Sequence, residues 1–295
     1  MTDVPAGGDP LVELDAQFED LAAKVVDYGL TWWTANDGVE KQIRLDRSLL
    51  DRLETVARSG QIIETADVYL DHDDKWAPQR EPLHVDALTA VLDVPGPETS
   101  QPTAVFLLGI PGSGKSSVLA RIALRFLSNI DATTPRVRDA DSFRVRLPEY
   151  VGGLGSEVVQ TETSDLTYSQ TGPYITPSRH LLIDEVGHPD WLEAEVRHFA
   201  GRGFDIVILC AEVDIERAVE RAKVRATTTG RYVPIAYVRS CAGRPRSALE
   251  NVLTASAPIS AWGLVDTNTA TDVGAPALIA GSDVFGAPGS AVAWW

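Results

Sequence analysis

Cysteine is scarce in this chain: two residues among 295, Cys210 and Cys241. Their separation fits no metal-ligand pattern, and two thiols in a chain of this kind are more often free than bridged. Long apolar runs are missing as well. None approaches the ~18 residues that suggest a membrane helix, so no membrane partner is expected. The opening "MTDVPAGGDP" has neither a basic start nor an apolar centre, so it does not read as a secretory signal, and a cytoplasmic location is expected. Positive charge is in short supply, with 26 Lys and Arg against 42 Asp and Glu and a formal charge of −16. A dedicated nucleic-acid binder needs a basic footprint, so nucleic acid is not expected as a partner. A small anionic substrate stays open, because its site needs only a few local cations. His84, His180, His188 and His198 share no spacing, so no zinc site is expected.

What is present begins with 44% apolar residues, enough for a buried core. The first ten residues look disordered. "LVELDAQFEDLAAKVVDYGL" has near-helical apolar spacing and predicts a helix over Leu11 to Leu30. "KQIRLDRSLLDRLETVARSG" predicts a second over Lys41 to Ser59, closed by Gly60. The turn between them carries Trp32 and Trp33. Residues 1–66 are thus expected to be a helical N-terminal extension, and 67–295 the main domain. "LHVDALTAVL" predicts a short helix over Leu83 to Leu92. From Ala104 the texture changes. "AVFLLGI", "PRVRDAD", "RHLLIDE", "FDIVILCA", "AWGLVDT" and "APALIAG" read as strands. "SSVLARIALRFL", "LEAEVRHFAGRG" and "DIERAVERAKVRATTTG" read as helices between them. Such alternation predicts an α/β fold with a parallel sheet flanked by helices. The stretch from Gly152 to Ser178 reads as polar and loop-rich. Trp32, Trp33, Trp76 and Trp191 suit packing more readily than stacking on a ligand, and the terminal Trp294 and Trp295 are expected to dock.

The strongest motif is G-x-x-x-x-G-K-[ST], met by Gly109, Gly114, Lys115 and Ser116. Glycines let the backbone curl so that successive N–H groups face phosphate oxygens, and the following helix adds its positive end. Lys115 reaches the β and γ phosphates and Ser116 can hold Mg²⁺. A buried-strand run before it and a helix after it are the context this mechanism requires. Gly109, Ile110, Pro111, Gly112, Ser113, Gly114, Lys115, Ser116 and Ser117 are therefore the expected cradle for a nucleoside triphosphate, with ATP and Mg²⁺ as cofactors.

Phosphoryl transfer to an alcohol also needs a base on the acceptor side and cations on the moving group. "RDADSFR" supplies Asp139 and Asp141 at the expected end of a strand; the alternative role for Asp141 is a cap for the next helix. Asp184 and Glu185, in "LLIDEVG", look like the acidic strand end that orders Mg²⁺ or its waters. Arg217, Arg221 and Arg225 recur every four residues and share one helix face. Arg231 follows on a short loop between Gly230 and Pro234, a place suited to a lid arginine on the γ-phosphate.

These pieces, in this order, resemble the zeta-toxin kinases: "GIPGSGKSS", "DADSFR" with "LPEY", "HLLIDEVG", "FAGRGFDIVILCA", and an Arg-rich helix running into "GRYVP". The likeness spans roughly Leu83 to Ala280. It implies a phosphate-loop kinase fold and an ATP-dependent kinase acting on a hydroxyl of a sugar nucleotide such as UDP-N-acetylglucosamine, a toxin of toxin–antitoxin type. It implies Asp141 as the acceptor base, Lys115 and Ser116 serving ATP and Mg²⁺, and Asp184 as the acidic residue after the second strand. Arg231 would be the γ-phosphate clamp, with Arg221 or Arg225 as a second. Two positions depart from the pattern: Leu147-Pro148 stands where many members have His-Pro, and "DEVG" replaces an "EGT"-like element. A kinase for another hydroxyl-bearing metabolite, cofactor or antibiotic is the alternative, as is a nucleotide-gated regulatory module without transfer. The partner would be an antitoxin protein. Otherwise the acidic N-terminal helices would restrain the kinase in cis, or simply cover a face of the sheet.

Overall fold

The computed structural model of the chain describes residues 32–35, 40–43, 63–93, 95–131, 133–153, 155–229, 231–269 and 275–295. It forms two compact units, the first from Met1–Ala90, Ala140–Thr171 and Lys223–Ala236, the second from Val91–Asp139, Gly172–Ala222 and Tyr237–Trp295.

In chain order the elements begin with β1 (Trp32–Ala35) and β2 (Glu40–Ile43), an antiparallel pair with Trp32 opposite Ile43. This differs from the sequence expectation, which put the two tryptophans in a turn and began a helix at Lys41. Bulky Trp and Ile and the β-branched Thr34 suit strand backbone, and pairing across the pair overrides the weak helical spacing. The helix expected over Leu11–Leu30, and the rest of the second one, lie outside the described residues. Then come α1 (Thr65–Tyr69), α2 (Glu81–Leu92), β3 (Thr103–Leu108), α3 (Ala120–Ile130), β4 (Arg136–Asp139), α4 (Ala140–Arg144) and α5 (Gln160–Tyr168). The chain continues through β5 (Leu181–Glu185), α6 (Leu192–Gly201), β6 (Asp205–Glu212), α7 (Ile215–Thr229), α8 (Ile235–Ser240), α9 (Arg244–Thr254), β7 (Ala261–Asp266) and β8 (Ala277–Gly281).

The second unit is the α/β body. Its sheet has six strands in the order β4-β5-β3-β6-β7-β8, all parallel except β8, which runs antiparallel to β7. β3 lies inside the sheet between β5 and β6, and all six of its residues are buried. That explains why its sequence is a continuous apolar run without alternation. On one face Val105, Leu107 and Leu209 pack against Leu119, Ile122 and Leu127 around α3. The tail joins this core: Trp294 meets Phe126 edge-on, Arg121 lies 4.6 Å over the Trp295 ring, and the expected docking is found. On the other face Phe106 meets Phe199 of α6. Cys210 and Cys241 are buried free thiols, and burial pushes Cys210 up to about 12, so it stays protonated at neutral pH. Trp191 departs from the packing expectation: it is 64% exposed and stacks on His188 at 4.3 Å.

The first unit is held differently. The polar stretch after Gly152, expected as loop, contains the nine-residue helix α5. Glu162 of α5 is fully buried and accepts hydrogen bonds from Arg80 Nε and Nη2 at 2.8 and 2.7 Å, while His84 Nε2 lies 2.7 Å away. Arg80 also donates to both oxygens of Glu149, at 2.7 and 3.1 Å. Trp76 Nε1 donates to Asp165 at 2.7 Å, and Trp76 meets the His84 ring edge-on. Burial alone would raise the Glu162 carboxyl, but hydrogen bonds from His84 and Arg80 outweigh it and hold the group below its ordinary range.

A carboxyl whose folded pKa is depressed adds stability above its unfolded value, about 4.3 for glutamate, and that stability is lost as pH falls through the folded pKa. Urea titrations between pH 7 and pH 3 should therefore show stability falling as the pH drops below ~4. Glu162→Gln should cost about 3–5 kcal/mol at pH 7, because it leaves Arg80 partly uncompensated, and should lose less on acidification. Acid limbs of equal steepness in the two proteins would refute the assignment.

Candidate active site

The second unit builds a phosphate loop where β3 ends. Gly112 and Gly114 take φ of +80° and +93°, a backbone that side chains rarely adopt. At Gly112 a Cβ would stand 2.2 Å from the carbonyl oxygen of Ala218, so the turn and the start of α7 approach too closely for any other residue. Gly114 caps a short π-helical turn, Lys115–Leu119, which runs into α3. This is the strand–turn–helix context that the motif requires.

Two side chains of that turn converge on β5. Lys115 Nζ donates to the Gly109 carbonyl at 2.5 Å and stands 3.6 Å from Asp184 Oδ1; Ser116 Oγ donates to Asp184 Oδ2 at 3.3 Å. Register explains the meeting, since Leu107 and Leu108 of β3 pair with Asp184 and Glu185 of β5. A serine hydroxyl and a carboxylate beside a lysine are hard oxygen donors suited to Mg²⁺ on phosphates. Among the described residues no cluster of three or more His, Cys, Asp or Glu is arranged to hold a metal alone.

Glu185, expected beside Asp184 on the metal, goes elsewhere. Side chains alternate along a strand, and Glu185 is directed to Arg138 of β4, with Arg138 Nη2 3.5 Å from Glu185 Oε2 and 2.5 Å from Glu195 Oε1 of α6. Burial, then the Glu195 charge, push the Glu185 carboxyl well above its ordinary range against the pull of Arg138.

The arginines divide between the units. In the second, Arg221 donates to the carbonyls of Thr267 and Asn268 at 2.8 and 3.3 Å, and Arg217 donates to that of Asn268. Burial, then the neighbouring Arg217, lower the Arg221 pKa. Asn268 in turn accepts from the Asp214 N–H at 2.8 Å, and the Asp214 carboxylate caps α7 through the N–H groups of Glu216 and Arg217. Both arginines thus fasten the segment after β7, and Arg225 follows Arg221 by one turn of α7.

In the first unit Asp141 lies inside the first turn of α4, one residue past its start, so the capping alternative does not describe it. Its Oδ1 is 2.8 Å from Arg144 Nη1, and its Oδ2 pairs with Arg231. Arg144 also donates to Gln160 Oε1, and Gln160 Nε2 donates to Ser164 Oγ at 3.1 Å. Ser156 Oγ donates to the carbonyl of Tyr232 at 3.0 Å, fixing the backbone next to Arg231. Sequence reasoning missed Arg144, Gln160 and Ser156. Arg144, three residues after Asp141 on a helix, was within reach of the i,i+3 rule; Gln160, sixteen positions from Arg144, carries no local signal.

The Zeta toxin family model matches residues 89–261. Among solved structures, the chain is similar to one from the AvrRxo1-ORF1:AvrRxo1-ORF2 complex with sulphate ions. Identity is 16%, 75% of this chain and 77% of that one are covered, and the TM-score is 0.53. A structure of the same complex with ATP matches at 16% identity over 75% and 77% of the two chains, with a TM-score of 0.52. A structure from the PezAT chromosomal toxin–antitoxin system of Streptococcus pneumoniae matches at 17% identity over 63% and 77%, with a TM-score of 0.49. No curated protein matches the chain. At these identities the structural likenesses speak to the fold.

The Gly112 approach yields a direct test. Gly112→Ala should weaken ATP binding about tenfold or more by forcing the loop off Ala218, while circular dichroism stays that of the folded chain. Calorimetric ATP affinity equal to wild type would show that the turn holds no phosphate.

Proposed function

Because the chain belongs to the Zeta toxin family, we propose that it is an ATP-dependent kinase that phosphorylates a hydroxyl of a sugar nucleotide such as UDP-N-acetylglucosamine. The observation that carries the reading is the convergence of Lys115, Ser116 and Asp184 at the turn after β3. A regulatory module would need the loop as well, so the acceptor side decides between them. There Asp141 is held by Arg144 and Arg231, a carboxylate oriented between two guanidinium groups.

The residues divide the work as follows. Lys115 places its ammonium on the β and γ phosphates, and Ser116 and Asp184 hold Mg²⁺, which neutralises charge on the phosphates when bound. Asp141 accepts the proton of the acceptor hydroxyl as that oxygen bonds to the γ-phosphorus and the bond to ADP breaks. Arg231 grips the transferring group, with Arg221 or Arg225 as a second cation. An antitoxin protein is the proposed partner, as membership of the Zeta toxin family suggests. Restraint by the N-terminal helices concerns residues largely outside those described.

Incubation with ATP, Mg²⁺ and UDP-N-acetylglucosamine should yield ADP and an acceptor heavier by one phosphoryl group, read by mass spectrometry. Asp141→Asn should bind ATP normally yet transfer 10²–10⁴-fold more slowly, the usual contribution of a positioned base. Transfer within about threefold of wild type would remove Asp141 from the chemistry.

Arg231→Lys keeps the charge but loses the planar fork that grips two phosphate oxygens. Turnover should fall much further than ATP affinity; equal turnover would return Arg231 to a structural role.

A further inference from the structure

The family match begins at residue 89, yet the helix nearest the Asp141 cluster is anchored by residues upstream of it. α5 is nine residues long, and of its buried side chains Glu162, Thr163, Leu166 and Thr167, Leu166 alone is apolar. A helix this short is unstable by itself and normally depends on an apolar stripe for docking. Here polar bonds take that place. Arg80 and His84 bind Glu162 from α2 and the turn before it. Glu64 goes further, because its Oε2 accepts the Thr161 N–H at 2.9 Å, satisfying a first-turn donor of α5. Glu64 is itself set by a capping box with Asp67, and the Thr65 N–H donates to the Val158 carbonyl at 2.8 Å, just ahead of α5.

These anchors fall on Thr161 and Glu162, the two residues after Gln160. Gln160 accepts from Arg144, and Arg144 holds Asp141 Oδ1. We infer that the segment from Glu64 to His84, upstream of the family match, is a positioning brace: through α5 it sets Gln160, through Gln160 it sets Arg144, and through Arg144 it orients the Asp141 carboxylate. Glu64, Arg80 and Gln160 are positioning residues in this scheme. The inference rests on the proposed role of Asp141, but the brace itself is physical and can be read without turnover.

The test uses the full chain and four variants: Glu64→Ala, Glu64→Gln, Gln160→Met and Gln160→Glu. Backbone hydrogen–deuterium exchange is followed over residues 140–147 and over the phosphate loop, 109–119. Steady-state transfer is measured with ATP and UDP-N-acetylglucosamine. Glu64→Ala and Gln160→Met should speed exchange over 140–147 about tenfold and leave 109–119 unchanged. Turnover should fall by a similar factor with KM for ATP within about twofold. Glu64→Gln and Gln160→Glu keep an oxygen acceptor at the same place and should restore both readouts.

Unchanged exchange over 140–147 in Glu64→Ala and Gln160→Met would overturn the brace. Faster exchange across all segments, the phosphate loop included, would overturn it too, since Glu64 would then support the fold as a whole. The two readings fail separately. The expected exchange pattern without any transfer to UDP-N-acetylglucosamine in the wild type removes the acceptor and keeps the brace; normal transfer with unmoved exchange does the reverse.

Discussion

Parallel neighbours in a sheet cannot be joined by a tight turn, because each strand must start again from the far edge. Crossovers therefore deliver the last residue of every parallel strand to the same edge. In the second unit that edge receives Leu108, Asp139, Glu185, Glu212 and Asp266 from β3, β4, β5, β6 and β7. The phosphate loop depends on this constraint. It leaves the end of β3, whose flanks are occupied by β5 and β6, so its takeoff point is fixed from both sides. Each fully buried Val, Leu or Phe of that strand contributes about 1.5–3 kcal/mol relative to exposure. The turn can then adopt the positive-φ backbone that Gly112 and Gly114 permit without dragging the strand out of register.

The same edge shows how one residue of phase separates two chemistries. Asp184 and Glu185 are neighbours in sequence with opposite surroundings. Asp184 meets Lys115 and Ser116 on the α3 side, where a carboxylate has a cation and a hydroxyl to answer it. Glu185 sits with Glu195 around Arg138, whose guanidinium lies 5.5 Å over the Phe199 ring, so two carboxyl groups share one guanidinium. Desolvation and like charge together favour a proton on that side. The result fastens β4 to β5 and α6 one residue away from the Asp139–Asp184 pair in the register.

Legibility in the sequence followed the range of the signal. β3, β5 and β6 are local apolar runs, and the glycine-rich turn after β3 is a local motif, so the α/β body and that strand–turn–helix could be read residue by residue. The alternation that sends Glu185 away from Asp184 was equally local, and pairing the two acids by type alone overlooked it. α5 was illegible for a different reason. Its buried face presents Glu162, Thr163 and Thr167, and the partners that make such burial tolerable, Arg80 and His84, lie about eighty positions away in the chain. No window over 160–168 contains the cause of that helix. The hairpin of β1 and β2 is hidden in the sequence because apolar spacing in its neighbourhood resembles a 3.6 repeat more than strand alternation. In α8 and α9 the buried positions Val238, Ala248, Leu249 and Val252 are interspersed with the charged Arg239, Arg244, Arg246 and Glu250, so the apolar period is weak over that stretch.

The two units thus reach order by opposite means, and the difference bears on function. An apolar core such as that under β3 is forgiving: hydrophobic residues of similar size repack with modest loss. A buried ionic network is not, since its net stabilisation is small while the cost of an unmatched partner is several kcal/mol. The network of Arg80, Glu149, Glu162 and His84 therefore adds little energy that well-packed leucines would lack. What it adds is selectivity among geometries, because a shifted α5 would leave a buried carboxylate without its donors. Group transfer is sensitive to displacements on the order of 1 Å, and the carboxylate of Asp141 hangs from α5 through Arg144 and Gln160. A polar core under Asp141 trades tolerance for a single position of its carboxylate, which is the property that the proposed proton removal at one chosen hydroxyl requires.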